Sequence, residues 1–362
     1  MDNTDQSPNA ARVLFIIAAF TVVAAGMHAA QAIIVPFLLA AFISVISSPP
    51  LFWLKERKVP TWVALLIVMF VILFFLLLIG ALVASSVNDF STKLSLYEAR
   101  LEEQTDAVVN WLVRIHVDVD RLELDKIFNA AAVMQFVAML LNQLVGMLTN
   151  GVLILLTVIF MLLEASSIPT KLQAIFRKPE ASLKRIKYFI GTVNRYMAIQ
   201  TVISLATGAC VAIFLTIMGV DYPLLWGVLA FLLNYIPNIG SIMAALPPVL
   251  LTIIQFGLGR AVGVAIGYLV INMTIGNVIS PHLMGRGLGL STLVVFLSLI
   301  FWGWILGPVG MLLSVPLTMT VKIALESSED TRWIAILLGS ETANLPEPKP
   351  APAQRSRQKR HR

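Results

Sequence analysis

The stretch of residues 221–256 limits what this chain can fold into more than any other part of the sequence. It carries no charged side chain after Asp221, and at about 35 residues it is too long for one upright membrane helix, which needs roughly 20. Its middle contains polar amides and helix-breaking residues, namely Asn234, Pro237, Asn238, Gly240, Pro247 and Pro248. Such a break survives at membrane depth only where protein or a water-filled cavity satisfies the freed backbone groups. We therefore expect this stretch in the interior of a membrane protein.

A second stretch, residues 290–322, repeats this pattern. In both stretches a proline, Pro237 or Pro308, is followed within three residues by a glycine, Gly240 or Gly310, and then by small and apolar residues up to another proline. A pair of apolar segments broken by glycine and proline in corresponding places indicates the binding site of a membrane transporter. Two kinked spans with a purely structural role are the alternative, since both residues are common in membrane helices.

The composition agrees with an all-α polytopic membrane protein. Hydrophobic residues make up 58% of the chain and charged residues 13%, against about 25% charged residues in a soluble domain. Cys210 is the only cysteine, so an intrachain disulfide and a cysteine-based metal or redox site are excluded. The sequence contains no phosphate-binding glycine loop and no nucleophile beside a base. We therefore expect no enzyme, no metal site, no cofactor and no use of ATP by this chain.

Charge and hydrophobicity divide the chain into successive regions. Residues 88–137 hold nine acidic and five basic side chains, whereas residues 165–199 hold seven basic ones and one acidic one. Cations collect on the cytoplasmic side of a membrane, where a basic amphipathic helix binds anionic lipid; we expect lipid and not nucleic acid as their partner. The predicted regions are a disordered N-terminus (1–11), three transmembrane helices (12–87), an extramembrane amphipathic helical insert (88–137), a fourth transmembrane helix (138–163), a basic cytoplasmic interfacial helix (164–199), a transport core with two broken segments (200–326) and a Pro-rich basic cytoplasmic tail (327–362).

The basic segments also restrict the topology. If the N-terminus, the loop at 55–58, residues 165–199 and the tail are all cytoplasmic, the two broken segments must behave alike. Two full spans give eight crossings, two re-entrant hairpins give six, and one of each places the basic tail outside. In the second case the hairpins enter from opposite faces, as in an inverted repeat. We expect six to eight crossings and favour the hairpins.

Several motifs together resemble the autoinducer-2 exporter family of bacterial membrane proteins. They are Asn-Tyr-Ile-Pro-Asn-Ile-Gly (234–240), Asn277 with Pro281-His-Leu-Met-Gly285, and Gly-Pro-Val-Gly-Met-Leu-Leu-Ser-Val-Pro (307–316). The resemblance covers residues 12–326 and implies a multi-span protein of the bacterial inner membrane, assembled as a homo-oligomer, that exports small molecules such as the quorum-sensing signal. Some members are associated with sodium/proton antiport. Members often carry a glutamate directly before the asparagine of the late span, where this chain has Gly276.

Uncharged polar residues at the broken segments and on the late span form the predicted substrate site. Amides offer both hydrogen-bond donors and acceptors, which suits a polyol-like signal molecule. An interhelical hydrogen bond, worth about 0.6 kcal/mol in a membrane, explains each amide equally well. The predicted site residues are Asn234, Pro237, Asn238, Gly240, Asn272, Thr274, Asn277, Pro308 and Gly310.

Two other functions remain open at the level of sequence. A cation/proton antiporter would use buried Asp, Glu or His; the sequence shows none well inside a span, and Asp221 is the best ion-coupling candidate. A membrane scaffold or receptor would instead use the insert at 88–137 to bind a partner.

Overall fold

The computed structural model of the protein describes a helical chain, with no strand among the described residues. Those residues are 7–93, 96, 97, 99, 100, 103, 139, 151–165, 179–237, 239–284, 290–326 and 331–339. The helices are α1 (Ser7–Ala29), α2 (Gln31–Glu56), α3 (Thr61–Thr92), α4 (Gly151–Ala165), α5 (Pro179–Met218), α6 (Pro223–Leu233), α7 (Ile239–Phe256), α8 (Leu258–Thr274), α9 (Ser280–Met284), α10 (Thr292–Glu326) and α11 (Arg332–Leu337), with a π-helical turn (Ile275–Ile279) between α8 and α9.

Some of the predicted regions lie largely outside the described residues. They are most of the insert at 88–137, the first half of the span at 138–163, and the C-terminal tail from residue 340. Asn238 also lies outside them. The predictions for these positions stay predictions.

Six helices of the described chain are long and apolar enough to cross a membrane: Gln31–Glu56, Thr61–Phe90, Ile190–Met218, Ile239–Phe256, Leu258–Leu283 and Thr292–Glu326. Their outer faces are apolar; on α3, for example, Leu66, Phe70 and Leu77 are 58%, 71% and 63% exposed. A soluble protein rarely exposes so extended an apolar surface. The prediction of an all-α polytopic membrane protein is therefore confirmed.

Helix α5 is continuous over 40 residues. The sequence prediction placed a boundary between an interfacial helix ending at 199 and a span beginning at 200. No glycine or proline stands at that point, so nothing ends the helix there. The apolar part of α5 instead begins at Ile190.

Residues 221–256 fold back on themselves, and we term this element hairpin A. Helix α6 ends at Leu233, the chain turns, and α7 begins at Ile239. At the base, the backbone N–H of Asp221 donates to Oε1 of Gln255 at 3.2 Å, so both ends of the stretch lie together. At the turn, a Cβ atom on Gly240 would overlap the carbonyl group of Leu233. Only glycine therefore lets the two arms touch directly after the turn.

Residues 290–326 form a second fold-back, hairpin B. Helix α10 breaks at Gly307, whose φ of 66° and ψ of −152° suit only glycine. The indole N–H of Trp302 donates to Oγ1 of Thr318 at 3.0 Å, although 16 residues of straight helix would separate them by about 24 Å. A Cβ atom on Gly310 would overlap the carbonyl group of Trp302, as at the turn of hairpin A. The repeated glycine of the two stretches thus has one physical cause.

The two hairpins contact different parts of α5. Hairpin A begins directly after α5 ends at Met218. In hairpin B, Val315 and Met319 share a buried apolar cluster with Val193 and Met197 from the earlier part of α5. Hairpin A therefore adjoins the C-terminal end of α5, whereas hairpin B packs against its middle. The entry of the two hairpins from opposite faces of the membrane stays a prediction.

Candidate functional site

The turn of hairpin A is held by polar side chains of α5. Gln200 Nε2 donates to the carbonyl oxygen of Asn234 at 2.7 Å, and Asn234 Nδ2 donates to Ser204 Oγ at 3.0 Å. The Tyr235 hydroxyl donates to Thr201 Oγ1 at 2.8 Å. We term these five residues the tip cluster. All of them are uncharged, and each can donate or accept a hydrogen bond.

The local sequence explains why α5 presents this polar face. Gln200 and Ser204 are four residues apart, and both are buried in the packed interior. Backbone N–H groups of the turn donate to the last carbonyl groups of α6, as Ile236 does to Leu233 at 2.8 Å. The next carbonyl group, that of Asn234, accepts from Gln200 instead, and Pro237 in the turn has no N–H. A buried break of this kind needs polar partners from a neighbouring helix, which the amide and hydroxyl groups of α5 provide.

Aromatic side chains of α2 and α6 pack around Tyr235 of the tip cluster. The ring of Phe42 meets the ring of Tyr235 edge to face, with 5.3 Å between ring centroids, and Phe231 packs against Tyr235 at 5.8 Å. Tyr235 itself is buried. The turn of hairpin A therefore lies between α2 and α5, next to the middle of α2.

Hairpin A accounts for three of the predicted site residues. Asn234 belongs to the tip cluster, Pro237 is half-buried in the turn, and Gly240 is buried where the two arms touch.

The turn of hairpin B lies elsewhere. The His28 ring nitrogen Nδ1 is 3.2 Å from the carbonyl oxygen of Ile305. A Cβ atom on Gly307 would lie 2.9 Å from Nε2 of Gln31. Gln31 and Phe42 are separated by about 16 Å of α2. Pro308 is exposed and Gly310 buried at this second turn, and the structure does not bring them to the tip cluster.

The polar residues of the late span are also separate from the tip cluster. Asn272 is half-buried, whereas Thr274 and Asn277 are exposed, and none of the three makes a side-chain hydrogen bond within the described residues. Helix α8 runs antiparallel to α5, since a Cβ on Gly263 would contact Met218 and one on Gly267 would contact Phe214.

This antiparallel register puts Asn277, which lies in the π-helical turn, at about the level of Ser204 along α5. Turns of this kind are frequent at functional sites. Asn277 and the tip cluster thus lie at similar levels along α5, but Asn277 is exposed and does not belong to the cluster.

The ion-coupling candidate Asp221 lies at the base of hairpin A, opposite the tip. Its Oδ2 accepts a hydrogen bond from the Tyr97 hydroxyl at 2.8 Å, and the Tyr222 hydroxyl donates to Asp89 Oδ2 at 2.8 Å. Lys93 Nζ forms an ion pair with Asp89 at 2.8 Å. We term these five residues the base cluster. Burial raises the pKa of Tyr97 and of Tyr222, so both phenols stay protonated donors at neutral pH.

No group of three or more His, Cys, Asp or Glu side chains that could hold a metal ion occurs in the described part of the chain. The two carboxylates of the base cluster have hydroxyl and ammonium partners instead.

Comparison with known proteins identifies the family of this chain. Residues 14–330 match the family described as "AI-2E family transporter". The chain belongs to the AI-2E family of transporters. It is 42% identical over 330 residues to the AI-2 transport protein TqsA of Escherichia coli (strain K12), covering 91% of this chain and 96% of the relative. The family resemblance inferred from the motifs is therefore confirmed.

Two further relatives carry provisional transporter names without a substrate. A protein of Haemophilus influenzae is 42% identical over 337 residues, covering 91% of this chain and 97% of the relative. YhhT of Escherichia coli (strain K12) is 37% identical over 339 residues, covering 94% and 97%. The family establishes a multi-pass membrane transporter, whereas a solute is named for TqsA among these three.

Part of each cluster carries no clear signal in the sequence. Gln200 and Ser204 were visible as polar residues four apart on an apolar span, which is a usable signal for a packed polar face. Thr201 and Tyr235 carry no such signal, because an isolated Thr or Tyr is ordinary in a membrane helix. The partners of Asp221 were hidden for another reason: Tyr97 is 124 residues away in sequence, and its spacing fits an amphipathic helix equally well.

Proposed function

We propose that this AI-2E family member exports a small, polar, largely uncharged solute of the autoinducer-2 type, along a path that passes the turn of hairpin A. The observation that carries the proposal is the tip cluster, where amide and hydroxyl groups of two elements meet at a helix break. The name of TqsA as an AI-2 transport protein supports the solute class.

The depth of the tip supports a binding role. Helix α6 has 11 residues and is about 16 Å long, roughly half of a 30 Å hydrocarbon core. If hairpin A is re-entrant, its turn lies near the membrane midplane, where transporters of broken-helix type bind their substrates. A solute bound there replaces hydrogen bonds that the amide and hydroxyl groups of the tip cluster otherwise make with one another. The number of hydrogen bonds therefore changes little on binding and on release.

The chemistry of the tip cluster selects against ions. None of its five side chains carries a charge, and an ion at this depth would need a compensating charge or several aligned carbonyl groups. Hydroxyl and amide groups instead match a polyhydroxylated neutral molecule. Such a solute moves down its own gradient or with a coupled ion, and the uncharged tip favours the first.

The distribution of basic residues supports a membrane location and an orientation for the protein. We propose that it lies in the bacterial inner membrane with both termini cytoplasmic, because the basic loop at 55–58 and the basic tail are cytoplasmic by the positive-inside rule. The resemblance described above supports assembly as a homo-oligomer.

Efflux of labelled autoinducer-2 from proteoliposomes tests the proposed function. We expect Asn234→Ala and Thr201→Val to lower the initial efflux rate about fivefold to tenfold, because each removes a hydrogen-bonding group worth roughly 1–1.5 kcal/mol. Thr216→Val is the matched control, since the Thr216 hydroxyl donates to a carbonyl of its own helix and is exposed. Efflux should not depend on imposed sodium or pH gradients.

Two results would contradict the proposal. Equal efflux from liposomes with and without the protein excludes this solute. Proton movement on addition of sodium, without solute efflux, favours the antiporter alternative and directs attention to Asp221.

A further inference from the structure

The base cluster connects hairpin A to the end of α3 through a reciprocal pair of hydrogen bonds. Tyr97, which follows α3, donates to Asp221 of hairpin A at 2.8 Å, and Tyr222 of hairpin A donates to Asp89 of α3 at 2.8 Å. The two phenol oxygens are 3.5 Å apart. Each side thus supplies one tyrosine and one aspartate. We propose that these four residues position hairpin A relative to α3 and thereby set the transport rate; the transport part of this inference rests on the proposed function.

The hydrogen bonds, more than the charges, carry the positioning role. The ion pair of Lys93 with Asp89 is partly exposed, with side-chain exposures of 40% and 48%, and such pairs contribute little. Tyr97, by contrast, is 1% exposed and packs beside Phe90. A buried hydroxyl has no water to replace a lost acceptor, so the structure strongly favours the arrangement in which Asp221 accepts the hydrogen bond of Tyr97.

Tyr222 lies at a strained point of the backbone. Its φ of 60° and ψ of 42° are left-handed, a conformation that a bulky side chain rarely adopts, and it directly precedes Pro223. Strain of this kind persists only where surrounding contacts hold it. Its hydroxyl bond to Asp89 and the packing of its ring near Phe90 are the contacts at hand. The base of hairpin A is therefore a restrained joint and not a flexible loop.

Asp221 transmits its position to both arms of hairpin A. Its carbonyl oxygen accepts a hydrogen bond from the Trp226 indole N–H at 2.9 Å, in the first arm. Its backbone N–H donates to Gln255 at 3.2 Å, in the second arm. A shift of Asp221 away from Tyr97 would move both arms together. The tip cluster at the far end would then lose its register with α5.

A spin-label distance measurement tests the positioning role without any solute. Labels on Ser85→Cys in α3 and Leu224→Cys in hairpin A are placed on exposed positions, in a Cys210→Ala background. We expect a single narrow distance in this parent. Tyr97→Phe and Asp221→Leu should broaden or shift it, and the two together should do no more than either alone, since both remove the same bond.

Two further variants separate the hydrogen bond from other effects. Asp221→Asn keeps an acceptor for Tyr97 and should retain the parental distance. Tyr268→Phe is the matched control: Tyr268 is 2% exposed and belongs to the same apolar cluster as Tyr97, but its hydroxyl has no partner among the described residues. Size-exclusion elution in detergent reports folding, and Tyr222→Phe replaces Tyr97→Phe if that variant fails to fold.

Efflux measured on the same variants tests the functional part. Tyr97→Phe and Asp221→Leu should lower the efflux rate between about 2-fold and 30-fold, the range that changes along a coupling path produce. Asp221→Asn and Tyr268→Phe should keep the parental rate.

The outcomes are distinct. An unchanged distance in both Tyr97→Phe and Asp221→Leu overturns the inference, and so does Asp221→Asn behaving like Asp221→Leu. A changed distance with parental efflux overturns the link to the transport rate. If the parent itself moves no autoinducer-2, the proposed function fails, while the distances still decide the positioning role.

Discussion

Two tyrosines show how much one hydroxyl partner matters in this interior. Tyr97 and Tyr268 lie in one apolar cluster and are 1% and 2% exposed. Tyr97 donates to Asp221, whereas the hydroxyl of Tyr268 has no hydrogen-bond partner in the described chain. Burying an unsatisfied hydroxyl costs about 1–3 kcal/mol, whereas a bond to a charged acceptor contributes about 1.5–3 kcal/mol. The same substitution should therefore have opposite effects at the two positions.

We expect Tyr97→Phe to lower the free energy of unfolding by about 1.5–3 kcal/mol, and Tyr268→Phe to leave it unchanged or raise it by up to about 1 kcal/mol. Chemical denaturation of the purified variants in detergent measures both values. Equal destabilisation by the two substitutions would mean that ring packing, and not the hydroxyl partner, decides the stability of this cluster.

At the scale of elements, the two hairpins close by the same contact. In each, the glycine that follows the turn proline lies against a carbonyl group of the preceding arm. The repeated Pro and Gly residues predicted this pairing of elements, because their spacing is local. The sequence could not show that the turn of hairpin B lies beside His28 and not beside Asn234, since that depends on how hairpin B packs against α1 and α2.

Two other differences between the sequence pattern and the structure have local causes. The charge pattern changes at residue 200 because it marks a membrane surface, whereas the helix geometry of α5 continues through the change of charge. Residue type groups Asn272, Thr274 and Asn277 with the polar residues of hairpin A, whereas Thr274 at the end of α8 and Asn277 in the π-helical turn are exposed.

Substitution of Gly240 and Gly310 tests the importance of the contact between each glycine and the carbonyl group of the preceding arm. Gly240→Ala and Gly310→Ala each place a methyl group on a backbone carbonyl that cannot move aside, so we expect a loss of stability of about 1–3 kcal/mol, the usual cost of overpacking. Gly191→Ala is the control, because a Cβ there meets nothing within 4 Å and alanine favours the helix. Thermal unfolding in detergent reports the comparison. Equal melting temperatures for all three variants would contradict the tight hairpin turns.

At the scale of the whole molecule, the way in which hairpin A enters the membrane decides the topology. With the proposed cytoplasmic N-terminus, a hairpin A that enters and leaves on one side places the connection at Gly257, between α7 and α8, on the periplasmic side together with Asp221. If it were a single crossing, that connection would be cytoplasmic. The side of the membrane on which this connection lies therefore decides whether hairpin A counts as a crossing.

Cysteine labelling in intact cells distinguishes the two topologies. In a Cys210→Ala background, we expect Gly259→Cys to react with a membrane-impermeant maleimide added outside, since this position is exposed and has open space around it. Lys58→Cys and His282→Cys, also exposed, should react only after the membrane is permeabilised. Protection of Gly259→Cys in intact cells would favour a full crossing by hairpin A.

The length of α5 connects the tip cluster with the surrounding lipid. Its apolar part, Ile190–Met218, has 29 residues and is about 44 Å long, well beyond a 30 Å hydrocarbon core. A helix longer than the hydrocarbon core can tilt or kink, or the bilayer can thicken around it. Gln200, Thr201 and Ser204 lie on α5, whereas their partners lie on hairpin A. We therefore expect the hydrogen bonds of the tip cluster to respond to the thickness of the bilayer, and so to the chain length of its lipids.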